Sequence, residues 1–82
     1  MFINKNSSGE NNRCGKNVAR LRKQMGISQR QLADILQLLG MDVDKNAVQR
    51  IEAGKRFVTD IEIVYLSEAL KTTVHDLLGL SQ

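Results

Sequence analysis

SQRQLADILQLLGMDVDKNAVQRIEAG, residues 28–54, is the stretch on which the fold turns. Ser28 and Gln31, three apart, have the spacing of a capping box, in which hydroxyl and amide close two orphan backbone donors at a helix start. Leu32, Ala33, Ile35, Leu36 and Leu39 then recur at helical spacing and give that helix one buried face. Asp44 is placed to cap a second helix over 44–53, its carboxylate meeting the positive end of the dipole. This second helix has only Val48 and Ile51 as large apolar residues, with Ala47 beside them, so a narrow stripe pins it. Lys45, Asn46, Gln49 and Arg50 occupy its other faces. Those are the side-chain types that hydrogen-bond base edges, Lys and Arg to guanine, Asn and Gln to adenine. Two helices, an irregular turn and outward-facing donors predict a helix-turn-helix.

The pieces SQRQLA and RIEAGKR, with VARLRKQMGIS before them and VTDIEIVYLSEALKTTVHDLLG after, resemble the phage repressor and Cro-like (XRE) helix-turn-helix family. The similarity covers roughly residues 15–79. It implies an all-α fold, a compact five-helix bundle of the phage-repressor type with a central helix-turn-helix. It also implies roles for particular residues. Arg22 stands where the family's arginine pairs with the glutamate of the IExG segment, here Glu52; the alternative is that Arg22 joins the basic surface. Gln29 matches a glutamine that donates to a phosphate at a helix start, and Arg30 beside it is a supplementary contact. Lys55 and Arg56 fall where the family's loop runs along the phosphate backbone. The resemblance further implies a homodimer on a palindromic operator. One departure stands out: the extended turn 37–46, within LQLLGMDVDKN (36–46), makes the connection about a helical turn longer than usual, which bears on where the second helix starts and how it tilts.

Eighty-two residues suit one domain, near the lower limit at which a single core suffices without staples. One cysteine permits neither an internal disulfide nor a cysteine-based zinc site. The absence of proline and the supply of Leu, Ile and Val suit a helical bundle. No apolar run approaches a membrane span, and polar residues follow Met1, Phe2 and Ile3, so a cytoplasmic, nucleoid-associated location is expected. The net charge of +3 conceals an asymmetry. Residues 1–56 hold eleven basic and five acidic side chains, whereas 57–82 hold one basic and four acidic. Such a layout turns one side of the protein toward a polyanion.

Residues 1–12 are expected as a flexible N-terminal tail, 13–79 as the domain and 80–82 as a short C-terminal tail. The run NKNSSGENN, 4–12, lacks apolar periodicity and carries too little positive charge for a minor-groove arm. A first helix over 13–25 buries Cys14, Val18, Leu21 and Met25, with Gly26 as a left-handed stop. Its remaining faces carry Arg13, Lys16, Arg20, Arg22 and Lys23 without an acid among them. Thr59 and Glu62 form another capping box. The helix they open buries Ile63, Leu66 and Leu70, widened by Ile61 and Val64. Thr73 caps a last short helix from which Val74, Leu77 and Leu78 close the core, leaving Leu80 at the surface. His75 is the only histidine, and no Ser, Cys or carboxylate group stands at catalytic or ligand spacing. No enzyme, cofactor, metal or small-molecule ligand is expected.

The expectation is therefore a sequence-specific double-stranded DNA-binding regulator, a repressor by resemblance. Lys45, Asn46, Gln49 and Arg50 would read bases, while Gln29, Arg30, Lys55 and Arg56 would touch phosphates. The alternative is an antitoxin-like or anti-repressor interaction module on the same scaffold. Its surface would be the acidic C-terminal helices, with Tyr65, Leu77 and Leu80 exposed.

Overall fold

The computed structural model describes residues 9–80, in which five helices follow one another: α1 (Gly15–Gln24), α2 (Gln29–Leu39), α3 (Lys45–Glu52), α4 (Asp60–Ala69) and α5 (Val74–Leu77). No strand occurs among the described residues, and none of their helices is long and apolar enough to cross a membrane. Each helix from α2 onward opens on a side-chain cap. Ser28 Oγ accepts from the Gln31 N–H at 3.0 Å, and Gln31 Oε1 accepts from the Ser28 N–H at 2.7 Å. Thr59 and Glu62 reproduce that box, and Asp44 and Thr73 accept from Ala47 and Asp76. Caps of this kind contribute about 1 kcal/mol each.

The interior is built from Val18, Leu32, Leu36, Val48, Ile51, Leu66 and Leu77, all fully buried, with Cys14 among them. Burying such an aliphatic side chain is worth about 1.5–3 kcal/mol. The second helix of the central pair thus hangs on Val48 and Ile51, while its Ala47 is half-buried. Several expected core positions lie further out. Met25 and Leu39, at the last turns of their helices, are each more than one-third exposed. Ile61 and Val64 do not widen the α4 stripe; they are 66% and 48% exposed. The sequence of α4, DIEIVYLSEA, is apolar on nearly every side, so its spacing could not say which apolar residues face inward. Leu66, Ala69 and Leu70 do. Val74 is also exposed. Leu77, offered above as a partner-binding residue, is wholly buried, and Tyr65 packs against the core; Leu80 is exposed.

The long connection is an anchored turn. Gly40 takes a left-handed conformation, φ 112°, which lets its N–H and that of Met41 return to carbonyls of the last α2 turn. Met41 and Val43 then enter the core, at 3% and 4% exposure. Gln37 Nε2 donates to Val43 O at 2.6 Å and ties the turn back to α2. The extra residues therefore deliver Asp44 to the start of α3, where the cap was expected.

The described end of the expected tail is not loose. Asn11 donates through its backbone N–H to Gly54 O at 2.7 Å and through Nδ2 to Lys55 O at 2.9 Å. Asn12 Nδ2 donates to Ile51 O and Arg56 O, at 3.1 and 2.8 Å, and Asn12 Oδ1 accepts from the Gly15 N–H at 2.8 Å. Residues 11 and 12 thus form a strap across the end of α3. The remainder of the expected tail, residues 1–8, and residues 81–82 lie outside the described chain.

Candidate nucleic-acid interface

With Val48 and Ile51 turned inward, helical geometry carries Arg50 about 200° round from Val48. Lys45, Asn46, Gln49 and Arg50 are all exposed, and none has a side-chain partner among the described residues. Two shallow grooves border this face. One of ≈ 390 Å³ runs between α2 and α3 past Arg30, Gln37 and Lys45; another of ≈ 310 Å³ lies by Asn46, Arg50 and Arg56. The exposed face of the helix presents donors of both base-reading kinds.

The residues expected at phosphates divide. Arg30 and Lys55 are exposed and carry no side-chain partner among the described residues. Gln29 is half-buried and donates through Nε2 to Glu52 Oε1 at 3.0 Å, so one of its two N–H groups is committed within the protein. Arg56 departs further from the expectation. Its Nη1 and Nη2 meet Glu62 Oε1 and Oε2 at 3.1 and 3.0 Å, and Nη1 also donates to Phe57 O. The guanidinium is compensated and ties the loop to the first turn of α4. It is a brace before it is a phosphate ligand. The Arg56 hydrogen bond holds the Glu62 carboxyl below its usual range; partial burial opposes this, and the Thr59 N–H reinforces it. The capping box announced Glu62, but its carboxylate has room for more than the cap: Oε1 accepts from both Thr59 and Arg56, and Oε2 from Arg56.

Arg22 and Glu52 meet in a fork: Nε to Oε2 at 2.6 Å and Nη2 to Oε1 at 3.1 Å. Their side chains are only 11% and 8% exposed. Arg22 Nη1 also donates to Ile27 O, binding α1, the turn before α2 and the end of α3 together. The Glu52 hydrogen bond raises the Arg22 pKa, against the effect of burial. With Gln29 as a third donor, Glu52 is neutralised from the protein side. Its carboxylate would otherwise oppose an approaching phosphate.

Two contributors escaped the sequence reading. The Asn11–Asn12 strap looked like polar tail, and nothing periodic marks it. Gly15 is the other: a Cβ there would lie 2.2 Å from Ile51 O, so only glycine allows α1 this close to the end of α3.

A sequence model of the family described as helix-turn-helix matches residues 18–77. Among solved structures, the restriction-modification controller protein C.AhdI from Aeromonas hydrophila is similar, with a TM-score of 0.67 and 30% identity over 77% of this chain and 84% of that one. The P22 c2 repressor protein, solved in complex with synthetic operator 9T, superposes with a TM-score of 0.70 over 83% of this chain and 96% of that one. Its 22% identity bears on the fold alone. No curated protein matches the chain.

Proposed function

The chain belongs to the helix-turn-helix family, and from that membership we infer that it is a sequence-specific double-stranded DNA-binding regulator of transcription, acting as a repressor in the cytoplasm on nucleoid DNA. One observation carries the reading: α3 has two buried anchors and four exposed, unpartnered side chains of the base-reading types. Lys45 and Asn46, near the start of α3, take base edges in the major groove, and Gln49 and Arg50 follow one turn on. Arg30, Lys55 and the remaining N–H of Gln29 take phosphates and set the register. Arg56 serves through its brace to Glu62, holding the loop on which Lys55 stands.

The working unit is a homodimer on a palindromic operator. Exposed apolar side chains gather in the C-terminal part, at Phe57, Ile61, Val64, Val74 and Leu80, and they supply the self-association surface. Selection of bound sequences from a random duplex pool, followed by footprinting, tests both halves. It is expected to return an inverted repeat; enrichment of no sequence would overturn the reading. In the same assay Arg50→Ala is expected to cost about 1–3 kcal/mol on the selected site and little on random DNA. Equal loss on both would move Arg50 to the backbone.

A further inference from the structure

The geometry points to Asn12, assisted by Asn11, as a positioning residue for DNA-backbone binding: the strap sets the loop 53–57 and through it the place of Lys55. The inference rests on the phosphate role proposed for Lys55. After α3 the chain turns at Ala53 and Gly54, and Lys55 projects from a segment without regular structure. Its carbonyls are claimed one after another by the strap: Gly54 O by the Asn11 N–H, Lys55 O by Asn11 Nδ2, and Arg56 O by Asn12 Nδ2. The bond from Asn12 Nδ2 to Ile51 O ties the same strap to α3 itself. Glu10 covers Gly54, where a Cβ would come within 3.1 Å of Glu10 Cγ. Asn12 Oδ1 fixes the strap to α1 through Gly15. One amide side chain therefore bridges α1, the last turn of α3 and the loop beyond it.

A long flexible lysine gains affinity only in so far as its backbone is already placed, because ordering the loop on binding would offset the contact. The strap performs that ordering in the free protein. The amide donors that form it face protein carbonyls rather than bases, so its influence falls on specific and random DNA alike.

The test uses the full chain on selected and random duplexes across a salt series. Lys55→Ala is expected to flatten the salt dependence by about one ion's worth. Asn12→Ala removes no charge, yet it is expected to flatten the slope in the same sense and to weaken both duplexes by roughly five- to tenfold, the worth of about one hydrogen bond. The double variant is expected to have the slope of Lys55→Ala alone. A merely structural asparagine would lower the melting temperature and leave the slope unmoved below it. Asn12→Ala with the wild-type slope, or effects that simply add, overturns the proposal. If Lys55→Ala itself keeps the wild-type slope, the phosphate role of Lys55 falls and the strap's role falls with it. Should Asn12→Ala not fold, Asn11→Ala keeps the Gly15 cap and loses the side-chain bond to Lys55 O. It is expected to give a smaller change of the same sign, and a wild-type slope there overturns the proposal.

Discussion

The two ends of α3 are held by different physics. At the C-terminal end, Gly15 abuts Ile51 O, the strap binds the carbonyls of Ile51, Gly54, Lys55 and Arg56, and Arg22 with Gln29 holds Glu52. These are short, directional bonds with little tolerance for displacement. At the N-terminal end Asp44 caps its own helix, and apart from the single Gln37–Val43 hydrogen bond the attachment to the body is an apolar plug of Met41 and Val43. Burial of apolar surface is non-directional. A plug keeps the helix in place while permitting small tilts that a hydrogen-bonded clamp resists. The residues nearest the plug, Lys45 and Asn46, are those proposed to meet bases, whereas Lys55 lies beside the clamp. On the proposed assignment, register is set at the hydrogen-bonded end and sequence is read from the apolar one.

The largest expected effect comes from the plug. Met41→Ala should lower unfolding stability by about 2–4 kcal/mol in a urea titration. Its amide shift changes should concentrate at 43–47 and leave 51–56 near wild type. Changes spread evenly along α3 would erase the distinction between the ends. Gly15→Ala attacks the clamp instead. The new Cβ has no room against Ile51 O, and the backbone must shift, at about 1–3 kcal/mol. Here the shift changes should gather at 51–56; wild-type stability would show that α1 can back away freely.

A double-mutant cycle on Arg22→Ala and Glu52→Ala comes next. The sheltered fork should show a coupling of about 1–2 kcal/mol, above the ~0–1 kcal/mol of an exposed pair. No coupling would leave Glu52 held by Gln29 alone. The smallest effect is one of acidity. Because Arg56 depresses the folded Glu62 carboxyl, the pair stabilises the fold fully above the ordinary carboxyl range. That contribution is lost as pH falls through the depressed folded value. With side chains 29% and 20% exposed it is worth less than about 1 kcal/mol. Glu62→Gln should remove this part of the acid sensitivity in urea titrations between neutral and acidic pH. An unchanged pH profile would mean that the brace contributes nothing in solution.

What could be read from the chain was whatever is local. Ser28, Asp44, Thr59 and Thr73 announce helix starts because a cap and its target lie within three residues. Val48 and Ile51 stand alone among polar neighbours, so the outward face of α3 was legible at once. The commitments of Gln29 and Arg56 were not. Their partners Glu52 and Glu62 are chosen by how helices approach one another, and a donor's side-chain type does not reveal whether its target is a carboxylate of the protein or a phosphate. The strap was illegible for a related reason. Asparagines bonding to distant carbonyls leave no period in the sequence. The burial of Met41 and Val43 was not read either, since two apolar residues in a short connection set up no period.

Cys14 lies at the joint between the strap and α1, wholly buried, with Sγ 4.0 Å from Asn12 Oδ1. Burial pushes its thiol up to about 11; a bond with its own backbone opposes this and the Glu62 charge adds to it. At neutral pH the sulfur is protonated as well as shielded, so a thiol reagent can reach it only when the joint opens. As the chain has a single cysteine, every labelling event reports from that one place. The protein thus carries a clock inside its own clamp. Its rate counts how often the clamp lets go, and a bound duplex gripping the neighbouring loop should slow it.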